Sequence, residues 1–220
     1  MKKIIRKMFF NLVKTLIPEL YLLHEIKKEQ EPLLLNSILE DPVKLYAKCM
    51  ITNSKIGKYS YVSEGARISF TEIGRFCSIG PDLLCGWGIH PLNGVSTSPM
   101  FYSTQKQNGF SLSELDKIEE RKKIKIGNDV FIGANVTILD GVTIGDGAVI
   151  GAGVVVYKDI PPYAVVSGSP LKILRFRLED EQISKMLQIS WWNWTIDDLC
   201  RVEKYFFDID KFLDANDCTS

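Results

Sequence analysis

The run Ile126-Gly127-Asn128-Asp129-Val130-Phe131-Ile132-Gly133-Ala134-Asn135-Val136-Thr137-Ile138, continued by Ile144, Ile150 and Val156, returns an aliphatic residue at every sixth position. Gly127, Gly133, Gly145 and Gly151 follow four of these residues. A second apolar residue, mostly smaller, stands four places after each, at Val130, Val136, Val142, Ala148, Val154 and Ile160. The same grid occurs upstream as Met50, Ile56, Val62 and Ile68, then Ile73 after a slip of one residue, and Ile79. Its companions there are Ser54, Ser60, Ala66, Cys77 and Leu83. A period of six matches neither a helix, at about 3.6, nor a lone strand, at about 2. It suits a chain that lays down a short strand, turns a corner and repeats, three strands to a coil, with the aliphatic residue pointing into a triangular prism. Glycine lets the backbone round the corner closely. Coils stacked about 4.8 Å apart pair their backbone groups and pile like side chains into columns. A β-sandwich would need longer strands and hairpin turns.

The grid stops for some forty residues, which predicts a loop inserted over 84–123. Long excursions of this kind in a compact domain are commonly functional. Its first half, Cys85-Gly86-Trp87-Gly88-Ile89-His90-Pro91 and then Ser96-Thr97-Ser98-Pro99-Met100-Phe101-Tyr102, mixes aromatic and turn residues as an ordered loop does. The expected organisation is an N-terminal helical segment over 1–45, the coil domain over 46–170, and a C-terminal helical cap over 171–220. Helix-like patterns at 179–189 and 195–207 flank Trp191-Trp192-Asn193-Trp194, and are expected to cover the exposed end layer of a short solenoid.

With 27 basic and 27 acidic side chains the 220-residue chain lacks the cationic excess that gripping nucleic acid requires, so no nucleic-acid partner is expected. The balance hides basic residues gathered before position 29 and acidic ones after 178. Residues 1–23 read as a basic amphipathic helix. It could dock on the acidic end or make peripheral contact with an anionic membrane face. Five cysteines without a C-x-x-C pair indicate neither a disulfide framework nor a thiolate zinc site. No cleavage site follows the opening lysines and no stretch reaches the roughly 20 apolar residues of a membrane span. A cytoplasmic location is expected, with peripheral contact on the inner membrane face as the variant.

The repeat resembles the hexapeptide-repeat acyltransferases. That implies a mainly β fold, a left-handed parallel β-helix with its inserted loop, N-terminal helical segment and capping helices. The stretch from Ile73-Gly74-Arg75-Phe76-Cys77-Ser78-Ile79-Gly80-Pro81 through His90 to Ser96-Thr97-Ser98-Pro99, together with Trp191-Trp192-Asn193-Trp194, is similar to the xenobiotic and polysaccharide O-acetyltransferase branch of that family. The resemblance implies acetyl-CoA as co-substrate, a homotrimer with sites shared between subunits, and His90 as the catalytic residue. It places the pantetheine arm against the backbone of Ala134 and Ala152 and brings Lys158, Lys172 and Arg175 toward the phosphates. Cations meeting phosphate and small residues beside an extended arm make chemical sense. Trp87, Asn93 and Tyr102 are the candidate acceptor contacts.

Only His24 and His90 could supply imidazole, which rules out the three-histidine zinc site of prism-shaped carbonic anhydrases, and no metal is expected. A hydroxyl is too weak an acid to attack a thioester unaided at neutral pH. A histidine whose ordinary pKa is about 6.5 can take the proton as attack proceeds, typically for about 10²–10⁴-fold in rate. The reading is an acetyl-CoA-dependent O-acetyltransferase for a sugar hydroxyl, by direct transfer, in surface polysaccharide synthesis. The alternatives are the same chemistry on an antibiotic, N-acetylation of a nucleotide-linked amino sugar, and a trimeric scaffold without turnover.

Overall fold

The computed structural model describes residues 31–216 together with 9, 12–19 and 22. The amphipathic helix expected over 1–23, with its membrane contact, lies largely outside the described residues, as do His24 and Cys218. Within it, residues 12–16 are helical.

Short strands wind into a parallel β-helix of three faces. The first face stacks β1 (Leu33–Leu35), β4 (Met50–Thr52), β7 (Arg67–Ser69), β10 (Leu84–Cys85), β13 (Thr137–Ile138) and β16 (Val155–Val156). The second stacks β2 (Ile38–Leu39), β5 (Lys55–Ile56), β8 (Thr71–Ile73), β11 (Ile124–Ile126) and β14 (Thr143–Ile144). The third stacks β3 (Lys44–Leu45), β6 (Tyr61–Val62), β9 (Ser78–Ile79), β12 (Phe131–Ile132), β15 (Val149–Ile150) and β17 (Ala164–Ser167), and ends on the antiparallel β18 (Lys172–Phe176).

Each face carries one inward column. Ile51, Ile68, Cys85, Ile138 and Val156 stand in register behind the first face. Ile56, Ile73, Ile126 and Ile144 stand behind the second, and Val62, Ile79, Ile132, Ile150 and Val166 behind the third. All are buried in one continuous core. Inward serines are tolerated because each is bonded: the Ser60 hydroxyl donates to the Gly74 carbonyl at 3.0 Å and accepts from the Cys77 amide at 3.0 Å. The outward side of the second face is a ladder of Lys55, Glu72, Lys125 and Thr143, a solvated surface.

The structure corrects the sequence reading in four places. The β-helix starts at Leu33, so residues 33–45, assigned above to the helical segment, form a complete first coil. The inward residue of the second coil is Ile51, with Met50 facing outward. The first corner is one residue shorter in the early coils, where Asn36, Asn53 and Phe70 turn it at φ 48, 48 and 55°. That shortening hides the first coil from a strict period of six. Third, the insertion begins after β10, at 86, and the C-terminal segment from 171 opens with β18 before any helix.

The fourth correction concerns the cap. Helices α1 (Asp180–Ile189), α2 (Ile196–Lys204) and α3 (Ile209–Asp214) do bury Trp191 and Trp192 against Phe212 and Leu213. They reach the flank of the prism, however, as well as its own helices: Trp191 packs on Phe76, which stacks on Tyr59 with ring centroids 4.9 Å apart. Arg75 reinforces this join, donating to Asn193 Oδ1 at 3.1 Å and pairing with Glu40 at 3.3 Å. The aromatics Tyr59 and Phe76, both at positive φ on the corner between second and third faces, offer the apolar surface that the tryptophans cover.

Ile132→Ala removes a side chain held between Ile79 and Ile150, and is expected to cost about 2–5 kcal/mol in denaturant unfolding. Lys125→Ala, on the outward side, is expected to cost less than about 0.5 kcal/mol. Equal losses would contradict the assigned inward register.

Candidate active site

The insertion leaves the prism at the corner between the first and second faces. Gly86 makes this exit possible. Its φ is +69°, and a Cβ there would lie 2.4 Å from the Ser69 carbonyl oxygen, so any larger residue would push the loop off the coil below. The Gly86 amide still bonds the Ile138 carbonyl at 3.0 Å, which keeps the exit in register with the coil above.

Asp140, on that same corner one coil further on, fastens both strands of the loop's neck. Its carboxylate accepts from the outgoing Gly88 amide at 2.9 Å, from Arg121 Nε at 2.9 Å and from the returning Lys122 amide at 3.2 Å. Arg121 in turn donates to Ser69 Oγ and the Gly86 carbonyl, each at 3.1 Å, with its guanidinium over the Phe70 ring. The Asp140 side chain is 1% exposed, while its charge-assisted partner Arg121 keeps 37% of its side chain in solvent. Above the neck, Ile89 bonds Glu120 and Tyr102 accepts from Lys117, each through backbone groups. The loop is an ordered, internally bonded body.

His90 stands in this body with its ring exposed and one nitrogen engaged. Nδ1 is 2.9 Å from the Thr97 carbonyl oxygen and 2.9 Å from the Tyr102 hydroxyl. A carbonyl can only accept, so the contact with Thr97 assigns the proton to Nδ1 and leaves the lone pair on Nε2. The Tyr102 oxygen shares that proton. Tyr102 itself is 4% exposed, and burial raises its phenol above the ordinary value. The residue expected to touch the acceptor is thus first of all a partner of the histidine.

Next to His90 in the chain, though not lined by it, the loop forms an open cavity of about 530 Å³, lined by Pro91, Val95, Phe101 and Ile118, with Asn93, Ser96, Tyr102 and Lys117 as its polar members. Asn93 and Tyr102 therefore share one space. Trp87 does not: it lies at the neck, half exposed, with the Arg67 guanidinium over its ring.

The residues expected along the co-substrate separate into two corners. Ala134 and Ala152 stack on the corner between third and first faces, where the Gly153 amide bonds the Ala134 carbonyl at 2.8 Å. A Cβ at Gly133 would lie 2.6 Å from the Ala152 nitrogen, so this wall is held flat by the lack of side chains. Lys172, paired with Ser167 one coil above Gly151, continues the same column. Lys158 lies instead on the loop's corner, beside Tyr157, and Arg175 lies further along β18, bonded to the Phe176 carbonyl. Among the described residues, no group of three His, Cys, Asp or Glu is placed to hold a metal ion, and no helix is long and apolar enough to cross a membrane.

Sequence reasoning missed the Thr97 carbonyl, which carries no side-chain signal, and the pair Arg121 and Asp140. One clue existed for the latter: Leu139-Asp140-Gly141 departs from the Ile-Gly pattern of the neighbouring repeats.

Comparison with known proteins adds relatives. The family described as bacterial transferase hexapeptide (six repeats) matches residues 123–158. A chloramphenicol acetyltransferase of Klebsiella aerogenes is 38% identical over 66% of this chain and 78% of its own length. One of Morganella morganii is 40% identical over the same shares. A virginiamycin A acetyltransferase of Staphylococcus aureus is 39% identical over 67% of this chain and 75% of its own.

Burial raises Cys77 and Cys85 to about 12 and leaves them far from the thiolate form at neutral pH. Of the described cysteines, only the exposed Cys200 is expected to react with a thiol-selective reagent at pH 8 in the folded protein. Cys49, Cys77 and Cys85 should react only after unfolding. Mass spectrometry of the labelled chain checks this, and rapid labelling of Cys85 in the folded protein would contradict its burial.

Proposed function

Because the chain belongs to the hexapeptide-repeat acetyltransferases, and so transfers an acetyl group from acetyl-CoA, we propose that its acceptor is a small molecule bearing a hydroxyl and that His90 is the general base. The observation that carries this reading is the contact of Nδ1 with the Thr97 carbonyl, which leaves the basic lone pair on Nε2 of an exposed ring. As the acceptor oxygen attacks the thioester carbonyl carbon, its proton passes to Nε2 and the imidazole becomes a cation held at Nδ1 by Thr97 and Tyr102. The tetrahedral intermediate then collapses, the carbon–sulfur bond breaks, and the Nε2 proton goes to the departing sulfur. The ester and the free thiol leave, and the histidine is restored. The thioester is activated already, so no acetyl-enzyme is required.

The flat wall of Ala134 and Ala152, extended by Lys172, suits an extended pantetheine arm with phosphate at its end. Arg175 would add a phosphate contact beside Lys172, and Lys158, on the loop's corner, would reach the phosphates only from a neighbouring subunit. The separation of this wall from the loop's corner supports a homotrimer in which the loop of one subunit serves the wall of another. The mainly apolar lining of the loop cavity favours an apolar acceptor, as do relatives named for chloramphenicol and virginiamycin A. An antibiotic-type hydroxyl therefore stands ahead of the sugar hydroxyl that the sequence reading placed first.

The test is thiol release from acetyl-CoA across chloramphenicol, virginiamycin-type streptogramins, sugars and nucleotide-linked amino sugars. Acceptor-dependent release that falls at least about 100-fold in His90→Ala is expected. Undiminished release in the variant would remove His90 from the chemistry. Tyr102→Phe keeps the Thr97 contact and loses one neutral hydrogen bond, so kcat should drop about 2- to 10-fold. A loss as deep as that of His90→Ala would mean that Tyr102 does more than hold the ring.

A further inference from the structure

The loop's neck holds a buried charge that the transfer chemistry does not use. We propose that Asp140 is the positioning residue for His90, and that with Arg121 it sets the place of the imidazole above the prism. The inference rests on His90 being the base.

Three observations carry it. First, Asp140 belongs to a different coil from the loop, so its bonds tie the loop to the rigid prism rather than to itself. Second, its two carboxylate oxygens divide the work: Oδ2 takes the outgoing strand at Gly88, two residues before His90, while Oδ1 takes Arg121 and Lys122 of the returning strand. Both sides of the neck are thereby referred to one point. Third, the backbone needs such a hold. Gly88 is at φ +107° and nothing lies within 3.5 Å of where its Cβ would be, so packing does not confine it and the Asp140 bond does. Gly86 is bonded from the other side by Arg121.

A change of a few tenths of an ångström at Gly88 reaches His90 through one intervening residue, Ile89, whose amide is held by the Glu120 carbonyl of the same returning strand. Loss of the carboxylate would thus release both strands together. The ring would then leave the arrangement in which Thr97 and Tyr102 meet Nδ1. Reaction geometry tolerates such shifts poorly.

Asp140→Asn keeps shape and one acceptor oxygen, and removes the charge that pairs with Arg121. Its kcat for thiol release from acetyl-CoA with chloramphenicol should fall 10- to 100-fold, with KM for acetyl-CoA changed less than twofold. The double variant His90→Ala with Asp140→Asn should be no slower than His90→Ala alone, because a residue acting through the histidine has nothing left to act on. Asp146→Asn is the control for lost hydrogen bonds in general. Asp146 bonds Asn128 in the same way on a corner remote from the loop, and its variant should keep kcat within twofold.

A second readout needs no acceptor. His24 and His90 are the only histidines, so the imidazole nitrogen spectrum holds two sets of signals, and His90→Ala identifies one of them. In the wild type that set should show a single Nδ1–H tautomer; in Asp140→Asn it should show averaging of both tautomers. A His90 spectrum identical in the two proteins, or an Asp140→Asn variant at full rate beside a dead His90→Ala, would overturn the positioning role. Full turnover in His90→Ala would overturn the base assignment itself.

Discussion

Every coil of this protein must set an aliphatic side chain directly over the one beneath while its backbone groups bond the same neighbour. The columns Ile56, Ile73, Ile126, Ile144 and Val62, Ile79, Ile132, Ile150 meet both demands at once. The price is rigidity of composition: inward positions are held by Ile, Val, Leu, Cys and a few small residues, and the faces admit no insertion in mid-strand without breaking the register of the coils above. Corners are different. They carry no column, so chain can be added there while the strands on either side stay paired.

The long excursion over residues 86–123 follows from that freedom. It departs after Cys85 and returns at Ile124, and the two strands it separates each remain bonded to coils above and below. A loop on a stiff scaffold keeps its own conformation only if its neck is fixed, which is the work of Gly86, Arg121 and Asp140. Farther out, hydrogen bonds within the loop take over, down to the Thr97 carbonyl that selects the tautomer of His90. Hydrogen bonds thus hold the loop at both places that matter, its neck on the prism and the one imidazole nitrogen farther out. The cavity beside it owes its shape to the same loop, so acceptor choice can change without touching the prism.

The period of six made the β-helix legible, because burial on a stacked column imposes a spacing that no other architecture shares. It was legible only where the spacing held. The first coil escaped notice since the shortened corner at Asn36 leaves Leu34 and Leu39 five residues apart, and since no glycine marks its turns. The flank position of the C-terminal helices was hidden as well: the tryptophans announce burial, but their partners Phe76 and Tyr59 sit at corner positions more than a hundred residues away. In the site, His90 stood out as one of two histidines in a loop without periodicity. Its partner at Thr97 is a backbone atom, and Asp140 reads in sequence as an ordinary turn residue. Hydrogen-bonding partners brought together by winding leave no local pattern.

The claim on which this account turns is direct transfer: a histidine held at Nδ1 removes the acceptor proton and the acetyl group never rests on the protein. A single turnover, quenched at intervals and followed by intact-protein mass spectrometry, tests it. The account predicts acetylated acceptor from the earliest times with no acetyl adduct on the chain. An adduct that forms before product and decays as product appears would contradict it.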